Sequence, residues 1–128
     1  MRMEVAGQIG EQQLGAVKAQ SRILDRAHLA HYTMGSPALE REIVGLFTAH
    51  LPILVESLAT AQSADEWRFA THTLKGSAQA VGATKITGFA QKLENIGDFQ
   101  KSNARKKLLD SLKRAVEEFT HLAGLLYP

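Results

Sequence analysis

The chain has 128 residues, 45% hydrophobic and 22% charged, with a net charge of +2 and no cysteine. This suits one soluble globular domain with a core of its own, and it excludes a disulfide framework and thiolate chemistry. The small net charge gives no general reason to expect nucleic acid or an anionic membrane. No run has the look of a secretory signal, no apolar stretch approaches the ~20 residues of a membrane span, and a cytoplasmic location is expected.

Apolar residues recur at helical spacing almost throughout, and no convincing strand is found. Residues 1–22 are polar, contain Gly7, Gly10 and Gly15, and read as an extension, frayed or loosely helical. Residues 23–128 read as the domain. Residues 25–33, DRAHLAHYT, predict a short helix capped by Asp25 and closed by Gly35. Ser36 and Pro37 open the next helix, expected as one bent helix over 37–60 with Pro52 inside it. Its expected core stripe is Leu39, Ile43, Leu46, Phe47, Leu54 and Leu58.

Ser63 and Glu66 form a capping-box pattern, and Trp67, Ala70, Leu74, Ala78 and Val81 carry a stripe from there to a stop at Gly82. Thr84 is expected to cap a helix with Ile86, Phe89, Ala90, Leu93 and Ile96 inside, stopped by Gly97. Ser102 is expected to cap the last helix, whose stripe runs from Leu108 and Leu109 through Leu112, Val116, Phe119 and Leu122 to Leu126. Four long amphipathic helices with short connections imply an all-α, up-down four-helix bundle with a short additional N-terminal helix.

The stretch ATHTLKGSAQAVGA, residues 70–83, does not fit packing alone. With Leu74 at the centre of the buried face, His72 falls about 160° away and Gly76 about as far on the other side. Phe69, Gln79 and Ala80 share that outward face, and Lys75 lies at its flank. A glycine inside a helix costs roughly 1 kcal/mol relative to alanine. Its use here leaves room for another protein's surface to reach the imidazole. Phe69 and Ala80 make that contact partly apolar, and Lys75 can steer or neutralise an anion such as a phosphoryl group. A helix end at LKGSA, with His72 an ordinary surface histidine, is the bland alternative. It would break a stripe that otherwise runs from Trp67 to Val81.

The sequence HTLKGSAQAVGA, followed by FAQKLE, resembles the histidine phosphotransfer (HPt) domains of multistep phosphorelays. The resemblance covers roughly residues 25–125, and MGSPALEREIVGLF is also typical of it. It implies that His72 is the phosphoryl acceptor and that Lys75 and Gly76 are the motif's lysine and glycine. Glu94 falls where many members carry a glutamine bonded to the imidazole, which is a departure in charge. An acceptor there would hold Nδ1–H and leave Nε2 free to attack. The alternative for Glu94 is a solvated surface carboxylate.

The resemblance further implies a phosphocarrier, not an enzyme with a nucleotide site. Its partners are the receiver domains of response regulators and hybrid histidine kinases. No cofactor of its own is expected, since magnesium belongs to the receiver. His28 and His31 have metal-compatible spacing, but no further ligands complete a set, so no metal is expected. ARKKLLDSLKR, residues 104–114, reads as a solvated basic face. A single copy is expected. A fragment of a larger hybrid or chemotaxis-type kinase and a non-catalytic helical adaptor are the alternatives.

Overall fold

A computed structural model describes residue 15, residues 19–96 and residues 102–128. The described residues form helices and no strand. After helical residues 19–23 come α1 (Arg26–Thr33), α2 (Pro37–Ala59), α3 (Ala64–Val81), α4 (Thr84–Ile96) and α5 (Asn103–Leu126). α2 packs on α3, α3 on α4, α4 on α5, and α5 back on α2, while α1 lies against α2 and α3.

Side-chain oxygens satisfy the otherwise unpaired N–H groups at four helix starts. Asp25 accepts from the His28 amide, Ser36 from Leu39, Ser63 from Glu66, and Ser102 from Arg105. Thr84 differs from expectation. It is the first residue of α4, and its hydroxyl donates to the carbonyls of Ser21 and Arg22. It ties the incoming chain to α4 instead of capping the helix. The expected stop at Gly97 and most of the extension (residues 1–14 and 16–18) lie outside the described residues.

α2 is one helix across Pro52, but its buried face is only partly the expected one. Val44, Phe47, Leu51 and Leu58 are buried, with Glu40 among them, whereas Leu39 and Leu46 are exposed. Ile43 and Leu54 pack at the core's edge. The helix is apolar nearly all round, so periodicity could not set its rotation; the neighbouring helices did. Over an 18-residue window its mean hydropathy is 1.4, so by length and composition it is long enough to cross a bilayer, contrary to the sequence expectation. Here it contributes four large side chains to a protein core.

Long-range bonds link opposite ends of neighbouring helices. The indole of Trp67, early in α3, donates to the Leu93 carbonyl, late in α4, at 3.3 Å. Lys85, early in α4, meets Glu118, late in α5, at 2.7 Å. Arg105, early in α5, donates to the Leu58 carbonyl at the end of α2 at 3.2 Å, and its guanidinium lies 4.7 Å from the Trp67 ring centre. Arg105 is therefore buried and leaves the basic face expected over 104–114. The hydroxyl of Tyr127, just past α5, donates to Glu40 near the start of α2 at 3.0 Å.

The turn between α3 and α4 is set by Gly82. It caps α3 in the left-handed conformation at φ 82°, and its carbonyl accepts from the Asp25 amide at 2.8 Å. α1 is thereby held across the end of α3, with Leu24 and Leu29 in the core. A Cβ on residue 82 would stand 2.8 Å from the Asp25 carbonyl oxygen, a backbone atom that cannot swing away. Gly82→Ala should therefore destabilise the protein by about 1–3 kcal/mol, through backbone strain and the displaced Asp25. Urea denaturation would measure the loss.

Candidate functional site

α3 begins at the Ser63 cap, with Asp65 and Glu66 near the positive end of its dipole, and runs 18 residues without a break. Trp67, Ala70, Thr71, Leu74, Ala78 and Val81 are buried. This continuity settles the local reading of LKGSA: Lys75 and Gly76 lie inside a helix, not at its end.

The core face fixes what faces out. The His72 side chain is 74% exposed and Phe69 is 74% exposed. Gly76, Gln79 and Ala80 are exposed beyond them. A Cβ on residue 76 would meet nothing within 4 Å. The glycine is therefore required neither by packing nor by backbone conformation. Ala80 also marks where α1 joins this surface, because its carbonyl lies 3.3 Å from Nε2 of His28.

Lys75 is not the free flanking cation that its position in the sequence suggests. It turns toward α4, where its ammonium donates to Glu94 Oε1 at 2.7 Å and to Gln91 Oε1 at 3.3 Å. The Lys75 side chain is 19% exposed and that of Glu94 23%. The other carboxylate oxygen, Oε2, lies 3.4 Å from Nδ1 of His72. That is ion-pair distance, longer than a formed N–H···O bond of about 2.9 Å.

The structure thus brings His72, Lys75 and Glu94 into one cluster, and spreads Phe69, Gly76, Gln79 and Ala80 along the surface beside it. Two further polar residues join from α4. Gln91 contacts Lys75 and Glu94, and its amide donates to Asn95 at 2.9 Å. The spacing of Gln91, Glu94 and Asn95 puts them on one face of α4, at the edge of its core stripe, and Lys75 reaches across to that face from α3.

The Lys75 hydrogen bond holds the Glu94 carboxyl below the usual carboxylate range, against the opposing effect of partial burial; His72 adds a smaller push downward. An ionised Glu94 can accept a proton-bearing Nδ1 and stabilise positive charge on the ring. The exposed imidazole by itself excludes no water.

A family model of the Hpt domain matches residues 42–122, from α2 into the last turns of α5. Comparison with curated proteins and with solved structures returns no match. The match spans well over half of the chain, and the chain belongs to the Hpt domain family. The family carries out histidine phosphotransfer in two-component systems and interacts with receiver domains; its members are phosphocarriers rather than classical enzymes.

Two outcomes follow from this geometry. Open space at Gly76 means that Gly76→Ala should stabilise the free protein, by up to about 1 kcal/mol, seen as a raised melting temperature. The lowered pKa of Glu94 means that its pair with Lys75 stabilises the fold fully above the usual carboxylate range. That contribution is lost as pH falls through the lowered value. Lys75→Met should thus melt below the wild type at about pH 7, and the difference should shrink as the pH falls below the usual carboxylate range, as read from thermal melts across pH.

Proposed function

We propose that this chain is a cytoplasmic phosphocarrier that accepts a phosphoryl group on His72 from an aspartyl phosphate in one receiver domain and passes it to an aspartate of another. The observation that carries the proposal is an exposed histidine on a core-forming helix, its Nδ1 directed at an ionised Glu94 3.4 Å away, within the Hpt match.

With Nδ1–H held toward Glu94, the lone pair of Nε2 is the nucleophile. It attacks the phosphorus of the receiver's acyl phosphate. The N–P bond forms, the P–O bond to the aspartate breaks, and the receiver's carboxylate leaves with the electron pair. Nδ1 keeps its proton, so the ring becomes cationic, and Glu94 stabilises that charge. Attack by a second receiver's carboxylate on the same phosphorus reverses these steps and restores the neutral ring. Magnesium belongs to the receiver's acidic pocket.

The chain's own task is to hold one nitrogen at a surface another protein can reach. Phe69, Gly76, Gln79 and Ala80 provide the docking surface, apolar around the ring and without a side chain one turn beyond it. The bonds joining opposite ends of α3 and α4, of α4 and α5, and of α5 and α2 support an up-down arrangement of the four long helices. Such a bundle is a rigid platform for the site.

Incubation with a phosphorylated receiver should place acid-labile, alkali-stable phosphate on the wild type. His72→Gln should keep the wild-type melting temperature and accept none, because the side chain lies off the core. Full acceptance by this variant would remove His72 from the role. Glu94→Ala should slow transfer about tenfold, the weight of one charge-assisted hydrogen bond, without abolishing it. Gly76→Gln should fold normally and accept from small phosphodonors, yet accept slowly from the receiver. Normal receiver transfer in that variant would overturn the clearance role of Gly76.

A further inference from the structure

The two oxygens of Glu94 are used differently. Oε1 receives Lys75 at 2.7 Å and the Gln91 amide at 3.4 Å, whereas Oε2 is the atom near the imidazole. Gln91 also reaches Lys75 itself. Its Oε1 accepts from the ammonium at 3.3 Å, and its Nε2 donates to Asn95 Oδ1 at 2.9 Å. The amide has only one workable orientation. Lysine is purely a donor and the two oxygens facing Nε2 are acceptors, so a flipped amide would set N–H groups against an ammonium and oxygen against oxygen. Gln91 thus bridges both members of the ion pair, and Asn95, one turn further along α4, anchors its amide.

We infer that Gln91 is a positioning residue for phosphoryl transfer. By occupying Glu94 Oε1 together with Lys75, it holds the carboxylate in the rotamer that presents Oε2 to Nδ1 of His72. It thereby favours the tautomer that carries its proton on Nδ1 and leaves Nε2 free to attack. Gln91 touches neither His72 nor the phosphorus and acts only through Glu94. Its role rests on His72 and Glu94 working as proposed above.

Gln91 is exposed, and water screening keeps the expected effect modest. Gln91→Met keeps the length of the side chain and removes both hydrogen-bonding groups. It should lower the saturated transfer rate about two- to fivefold, with an unchanged half-saturating receiver concentration and an unchanged melting temperature. Nitrogen NMR of the ring should show the neutral His72 mainly protonated at Nδ1 in the wild type and a mixture of tautomers in Gln91→Met. Gln91→Glu keeps an acceptor for Lys75 but repels Glu94, so it should transfer no faster than Gln91→Met. A space-filling Gln91 would instead leave the methionine variant silent.

The same assay on Glu94→Ala separates the two levels. A slowed Glu94→Ala beside a Gln91→Met indistinguishable from wild type in rate and tautomer would overturn the role of Gln91 and leave that of Glu94 standing. A Gln91→Met that changes only the half-saturating receiver concentration would make residue 91 a docking contact, and the positioning role would fall. A silent Glu94→Ala would remove the basis for both.

Discussion

One helix has to hold the core together and present an exposed histidine beside an ion pair. α3 buries Trp67, Leu74, Ala78 and Val81 on one side and exposes His72 on the other. Both demands fall on one 3.6-residue period, so the outward face cannot be rearranged without rotating the helix out of the core. The Ser63 cap and the Gly82 turn fix where the helix starts and stops. The Trp67 indole, bonded to the Leu93 carbonyl, fixes its register against α4. Within that frame His72 has one direction available, and the cost of a glycine at residue 76 is spread over a helix whose stability comes mainly from packing.

The register of α3 against α4 also creates the electrostatics. A carboxylate beside a histidine, left alone, would be solvated and free to rotate. Lys75 changes that. It neutralises much of Glu94's charge, keeps it ionised, and leaves one oxygen for the ring. A cation that sequence inspection assigns to an incoming phosphoryl group is thus spent on holding the carboxylate beside the imidazole. Arg105 shows the same economy elsewhere, with a buried guanidinium lying over Trp67 and bonded to a helix-terminal carbonyl. Both residues are basic, and neither belongs to the solvated charge of the surface.

Much of this was legible in the letters. The caps Asp25, Ser36, Ser63 and Ser102 could be read because a short oxygen-bearing side chain before an apolar period has a local meaning. The phase of α3 could be read because its polar and apolar residues alternate cleanly at helical spacing. α2 could not be phased. Leu39 and Leu46 looked as fit for the core as Val44 and Leu51, and hydrophobicity on every side carries no direction. Thr84 was placed at the right helix start with the wrong partner, because its hydroxyl bonds to carbonyls some sixty residues earlier in the chain.

By itself the sequence determined which segments are helical, where most of them begin, and that His72 and Gly76 share an outward face. These follow from local chemistry and from a period of 3.6 residues. Only the tertiary structure decided that Lys75 leaves that face for Glu94, that Gln91 joins them, and that Arg105 is buried. Each depends on how far α3 slides along α4, or on which helix closes against α5. Residues 16 to 47 positions apart meet through that packing, and no local pattern encodes the distance between them.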